Sequence, residues 1–410
     1  MTIRRTKVKT LASSILQLFD ELGTCQRKFL EHIFELWLCM RGRYNFAHLA
    51  RYSDHSEKYL REHFAENFDW LKFNAELAER FLSTDRIIAI DPTFISKSGK
   101  HTAGVGKFWS GCAQKVQPGM EFTGIAAVDL PNNAALHLLA VQTAERDEQE
   151  TLLEYYASLI SLNRSGLRKL SKYVVGDAFF SRKPFIDSVL NDGFECVSRL
   201  RKDQHLRYLY VAPPGKKGVG RPKKFDGKVD PCNLREDVFK CASTSEDGKT
   251  KVFSAVVNVK ALQRTCRVVI VQKLDDQGRV RNYKMYVSTD LELSAAKILQ
   301  MYRARFQQEF LFRDAKQELG LDQAQGYSYE KNDFHINCAL TVGSLCKAAH
   351  HLEPYAGQSE KPPFSIADIK TEYFNENQAL RIIEGCGIDA NQPLISKLLA
   401  EVRNWGKRRA

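Results

Sequence analysis

Apolar residues recur at helical spacing through the first 80 positions. Phe29-Leu30, Ile33-Phe34 and Trp37-Leu38 predict one helix. After a break at Gly42, Phe46-Ala47-His48-Leu49-Ala50 and the run 59–68 predict two more. These are joined by the turn Ser53-Asp54-His55-Ser56, where Ser56 is placed to cap the second. The layout is that of a helix-turn-helix, and a small bundle docked on the next domain accounts for it equally well.

From Arg86 the period changes. Residues 87–90 form a short continuous apolar run closing at Asp91-Pro92, where proline is expected to stop the ladder. Residues 122–128 and 135–141 read as two further strands joined by Pro131-Asn132-Asn133, 147–162 as an amphipathic helix, and 173–175 as a fourth strand ending in Gly176-Asp177. A helix carrying Phe185, Ile186, Val189 and Leu190 follows. Alternating runs at 206–211, 252–257, 267–271 and 283–287 predict β-structure. Helices resume at Leu293 and end at Leu319-Gly320, return at 339–352, and close the chain after a polar, proline-rich connection. The expected class is α/β in five parts: a helical region 1–80, an α/β core 81–193, a β-rich insertion 194–290, the rest of the core 291–353, and a helical segment 354–410.

Composition narrows the function. With 410 residues, 43% hydrophobic and 27% charged, the chain suits a folded protein of two or three domains. A formal net charge of +12 favours an anionic partner, nucleic acid first, and tilts the N-terminal helices toward DNA. No apolar run approaches the roughly 18 residues of a membrane span, and the N-terminus lacks the pattern of a signal peptide, so a cytoplasmic protein with no membrane partner is expected. Ten cysteines include no C-x-x-C pair, which leaves carboxylates as the expected ligands of any metal.

The sharpest pattern is at 302–316. Tyr302, Arg305, Glu309, Arg313 and Lys316 follow at spacings of three, four, four and three. On one continuous helix they share an arc of roughly 80°, beside an apolar stripe of Leu299, Phe306 and Phe310. A carboxylate among three cations and a phenol suits a metal ion and a polyanion. A surface helix laced with i,i+4 ion pairs fits the same residues. Asp91 and Asp177 end neighbouring strands, and with Glu309 they offer three carboxylates able to meet on one or two divalent cations, the requirement of metal-dependent phosphoryl transfer.

These residues resemble the DDE transposases of bacterial insertion sequences, in the group with a Tyr-x2-Arg-x3-Glu-x6-Lys signature. Tyr302, Arg305, Glu309 and Lys316 meet it, with Asp91 in I-A-I-D-P-T and Asp177 in V-V-G-D-A-F-F. The resemblance covers about 30–350. It implies an RNase-H-like core interrupted by the insertion, with Asp91, Asp177 and Glu309 as catalytic metal ligands. It further implies two Mg2+ ions with Mn2+ able to substitute, cut-and-paste action on double-stranded DNA at terminal inverted repeats and target, and a homodimer on DNA. Tyr302, Arg305, Arg313 and Lys316 become candidate DNA contacts. Arg221, Lys223 and Lys224, in a Gly-Arg-Pro-Lys-Lys segment similar to an AT-hook core, join them. Between 194 and 289 there is no tryptophan to hold a flipped base, and Phe239, Phe253 and Tyr283 are the alternatives. A transposase-derived DNA-binding protein without catalysis, and a purely hydrolytic nuclease, remain open readings.

Overall fold

The computed structural model describes residues 7–99, 101–111, 113–143, 150–212, 222–351 and 363–407. Five helices come first: α1 (Lys7–Leu16), α2 (Thr24–Cys39), α3 (Phe46–Arg51), α4 (Glu57–His63) and α5 (Trp70–Phe81). Ser56 caps α4 by accepting from the Tyr59 amide at 3.2 Å, as its position before the helix predicts. Then come β1 (Arg86–Ser96), β2 (Gly106–Ser110), β3 (Lys115–Asp129), β4 (Ala134–Gln142), α6 (Leu152–Leu162), α7 (Arg164–Leu170), β5 (Tyr173–Val175), α8 (Lys183–Asn191) and β6 (Glu195–Leu200). The next stretch is all β: β7 (Leu206–Leu209), β8 (Phe225–Lys228), β9 (Lys240–Thr244), β10 (Thr250–Val259), β11 (Arg264–Leu274) and β12 (Val280–Ser288). Helices α9 (Ala295–Ala304), α10 (Gln307–Glu318), α11 (Tyr329–His351), α12 (Ile366–Gly385) and α13 (Pro393–Arg403) complete the chain.

The fold is mixed α/β, built on one large mixed sheet of 12 strands among the described residues. Its path runs β2-β3-β1-β5-β6-β12-β11-β10-β7-β8, with β4 also on β3 and β9 on β10. β1 lies antiparallel to β3 from Arg86↔Asp129 to Ser96↔Gly119, and parallel to β5 at Ile88↔Val174 and Ala89↔Val175. β6 lies parallel to β5 and carries β12 antiparallel on its far side, so segment 194–290 continues the sheet rather than hanging from it.

Several boundaries differ from those the pattern predicts. β1 passes through Pro92 instead of stopping there. β5 gives β1 no partner beyond Ala89, so a proline nitrogen on that edge costs no ladder bond. The helix placed at 147–162 begins at Leu152, where Thr151 and Glu154 form a reciprocal capping box; 147–149 lie outside the described residues. α11 begins ten residues before the predicted 339. Its first half is polar in sequence yet buried, because it seals the outer edge of β4. Asn337 accepts from the Ala140 amide at 2.8 Å and donates to its carbonyl at 2.9 Å, and the Ser344 hydroxyl takes the His137 amide at 2.9 Å.

Candidate active site

Asp91 sits on β1 just past the last residue that β5 covers, opposite Gly124 of β3. Asp177 follows β5 by two residues. Its Oδ1 accepts the Phe179 amide at 2.8 Å, closing a tight Asx turn, and its main-chain oxygen takes the buried Ser198 hydroxyl at 2.6 Å. It is thus the turn-former its position predicts, with its charge felt at both Asp91 and Tyr302. Glu309 lies in the first turn of α10.

The third element is not the single helix the spacing predicts. α9 ends at Ala304 and α10 begins at Gln307. Between them the chain tightens into three-residue closures: Phe306 N to Arg303 O, Gln308 N to Arg305 O and Glu309 N to Phe306 O. The shared arc calculated for an unbroken helix therefore does not hold. Nor does the stripe of Leu299, Phe306 and Phe310: Leu299 is buried, Phe306 is 47% exposed, and Phe310 is half-buried with its ring edge-on to Phe306. Leu311, Phe312 and Ala315, with Gln308, form the face of α10 that is buried.

Arg305 closes α9 and is buried at the break. Its Nη2 donates to Glu309 Oε1 at 2.9 Å, and its Nη1 lies 3.5 Å from Asp91 Oδ1. One guanidinium thus ties the helix acid to the strand acid. Arg305 is only 8% exposed, and its buried Nε and Nη1 make no hydrogen bond among the described residues, Nη1 being held by the Asp91 charge alone. A fifth of the Asp91 side chain reaches the surface (20%). Burial nevertheless pushes its carboxyl up to about 7; Arg305 and Lys316 pull it down, while Asp177 and Glu309 push it further up. Burial works against the Arg305 charge as well, but Asp91 and Glu309 hold the guanidinium above its ordinary value.

Lys316 turns toward the protein. Its ammonium donates to Thr93 Oγ1 at 2.8 Å and to the Phe94 carbonyl at 2.9 Å, which ties the last turn of α10 to β1. Arg313 lies on the exposed side, paired with Asp314 at 3.0 Å and stacked over Phe310. Tyr302 meets Tyr286 edge-on at 4.9 Å; burial raises its phenol, and Arg305 and Arg199 oppose that shift. The far end of α10 is clamped by other elements. Trp37 donates to the Leu319 carbonyl, His335 to that of Gly320, and Tyr44 and Lys370 to that of Glu318.

The profile of the Transposase DDE domain family matches residues 82–342, more than half of the chain. The chain belongs to the DDE-domain transposases. No curated protein sequence matches it. The cryo-electron microscopy structure of the piggyBac transposase synaptic complex with hairpin DNA is a similar solved structure, at 10% identity and a TM-score of 0.42, over 97% of this chain and 82% of that one.

Within this transposase domain the three acids and Arg305 are brought into one electrostatic neighbourhood, with Lys316 behind them. Among the described residues no three of His, Cys, Asp or Glu close into a ready-made metal cage. The donor set still fits a hard divalent cation. It is oxygen only, and magnesium keeps several waters and needs few carboxylates. Lys223 and Lys224 stand apart from this group in the β7–β8 connection, Lys223 paired with Asp226 at 2.7 Å; Arg221 lies outside the described residues. Among the described residues no helix is long and apolar enough to cross a membrane.

Beside Arg305 opens a cavity of about 620 Å³ that the sequence pattern did not single out. Tyr283, Tyr286, Tyr302 and Phe306 line it together with Lys273, Lys284, Arg303 and Arg305. Of the three aromatics proposed for stacking, Tyr283 stands on this wall, while Phe239 is buried elsewhere in the β-rich part. The available signal was alternation along β12. Asn282, Lys284 and Tyr286 share the face opposite buried Met285 and Val287.

Proposed function

We propose that the protein is a magnesium-dependent DNA transposase that nicks the ends of its own element and joins them to target DNA. The observation that carries this reading is the Arg305 bridge, 2.9 Å to Glu309 and 3.5 Å to Asp91, inside a DDE transposase domain. The strand order around it supports an RNase-H-like core: β1 lies between antiparallel β3 and parallel β5, with β4 and β6 outside them.

Asp91, Asp177 and Glu309 would hold two Mg2+ ions, which when bound supply an activated water or 3′-hydroxyl and neutralise charge on the attacked phosphate. Arg305 holds Asp91 and Glu309 close and offsets their mutual repulsion at the edge of the cavity that would receive the phosphodiester. Tyr302, with the aromatic and basic wall beside it, receives the bases and phosphates next to the cleaved bond. Arg313, Lys223 and Lys224 give sequence-independent phosphate contact farther along the duplex. Water is the nucleophile of the first step and the freed 3′-hydroxyl that of the second. One set of acids therefore serves cut-and-paste movement, and two copies are needed to hold two ends. The protein would act in the bacterial cytoplasm, at the nucleoid.

The test uses purified protein and a duplex carrying the inverted repeat that flanks its gene. Nicking is expected in Mg2+ and Mn2+, none in chelator, and none from Asp91→Asn or Asp177→Asn. Undiminished nicking by either variant sinks the assignment.

A further inference from the structure

The N-terminal turn of α10 has to be fixed in place, because Glu309 lies in it. Three observations show that ordinary capping does not fix it. No side chain caps α10: Phe306 occupies the N-cap position and contributes no side-chain hydrogen bond. The helix is not an extension of α9, since the chain tightens between them. Its fixed point lies on the other side, at Gln308. This side chain is 1% exposed, and its Nε2 donates to the Gly124 carbonyl at 2.7 Å.

Gly124 is the residue that faces Asp91 across the β1–β3 ladder. Its backbone requires no left-handed conformation, so glycine is there for space. A Cβ at this position would stand 2.5 Å from the Phe312 ring and 3.3 Å from the Gln308 amide. The helix comes down onto bare backbone next to the strand acid, and one amide grips the carbonyl it meets. A hydrophobic residue at 308 would match Leu311, Phe312 and Ala315 on the same face but would take the side-chain donor from the Gly124 carbonyl. Glutamine instead leaves its buried Oε1 without a partner among the described residues. That choice suits placement better than packing.

We propose that Gln308 is a positioning residue: its hydrogen bond to the Gly124 carbonyl sets Glu309 against Asp91, and Gly124 provides the close approach that makes the bond possible. The inference rests on the reading of Glu309 and Asp91 as catalytic acids, and its test has an arm that does not depend on that reading.

Full-length protein, Gln308→Leu and Gln308→His are compared in two measurements. The first is amide hydrogen exchange across 306–312. Leucine fills the same space without a donor, so exchange there should accelerate about tenfold while the rest of the core keeps its protection. The histidine Nε2–H reaches to a similar depth and should restore most of the protection. The second is single-turnover nicking of the flanking-repeat duplex with Mg2+. The rate should fall about a hundredfold in Gln308→Leu at unchanged duplex affinity, and recover in Gln308→His. If Gln308→Leu fails to fold, Gly124→Ala and the double variant Gly124→Ala/Phe312→Leu carry the test. The single change should push α10 off the strand, and the smaller leucine side chain should let it return. Unchanged exchange and unchanged nicking in Gln308→Leu or Gly124→Ala overturn the proposal. Accelerated exchange in a protein whose parent form never nicks keeps the docking and removes the catalytic reading.

Discussion

The two halves of the sheet meet solvent in opposite ways. Around β1 both faces are covered, Ile87 to Ile90 are wholly buried, and even polar groups are enclosed by protein. A carboxylate placed there is driven by burial toward its neutral form, as Asp91 is. Across β10 to β12 one face packs inward through Met285 and Val287, while the other carries Lys284 and half-buried Tyr286 onto an open cavity wall. One half concentrates charge that must be neutralised; the other offers cations and aromatic faces to something anionic and flat. Arg305 stands at the junction, bound to both acids and lining the cavity. The comparison teaches that chemistry and recognition are divided between covered and uncovered parts of one continuous sheet.

The strongest way to break this comparison is at the covered half. Glu309→Gln keeps the shape and the hydrogen bond from Arg305 but removes a charge. Nicking should fall by roughly 10³-fold or more, while affinity for the end duplex, measured by fluorescence anisotropy, stays equal or rises because a repelling carboxylate is gone. A variant that still nicks at the normal rate would return Glu309 to the role of a surface ion-pair partner.

How much of this half was readable in sequence depends on who decides the structure. Asp177 and Glu309 stand where turn chemistry and signature spacing place them and Asp91 lies inside β1 rather than at its end; as candidates all three were legible, because those patterns are local. The helix break at Arg305-Phe306 was not. Nothing in Arg-Ala-Arg-Phe-Gln-Gln signals a stop, and the break falls just before Gln308, whose side chain meets the Gly124 carbonyl from a distant strand. α11 was foreshortened for a related reason, since Asn337 looks solvent-facing until β4 supplies it with an edge to satisfy. The short edge strands β2, β8 and β9 carry little periodicity and went unread. Gln308 did leave a trace: a lone polar residue in phase with Leu311, Phe312 and Ala315.

A second test concerns what the covered half costs in acid. His137 and His335 are wholly enclosed, and burial pulls both down to about 4 from an ordinary value near 6.5. Their depressed values mean that stability is fully present above pH 6.5 and is lost as pH falls toward 4, where the unfolded chain takes up protons first. Each contributes roughly 3 kcal/mol across that window. Asp91 and Asp333, both pushed up to about 7 by burial, act in the opposite sense. The histidine effect is therefore read as a difference. Thermal melts at pH 7.5 and 4.5 should show His335→Gln losing less on acidification than the parent chain, and equal losses would contradict the burial argument.

The finest test sets one lysine from each half against the other. Lys284 lines the open cavity wall, whereas Lys316 donates to Thr93 and Phe94 on β1. A lysine that neutralises a phosphate releases a counterion, so its removal flattens the slope of log affinity against log salt by roughly one unit. Lys284→Ala should do this and weaken end binding by about tenfold at moderate salt. Lys316→Ala should leave the slope unchanged, because its ammonium serves the strand, and should instead slow nicking as the last turn of α10 loosens from β1. The reverse result, a flattened slope for Lys316→Ala and none for Lys284→Ala, would place the DNA backbone over the acids and leave the cavity to some other use. Equal flattening by both would mean that Lys316 exchanges Thr93 for phosphate on binding, and the boundary between the two halves would then move when DNA arrives.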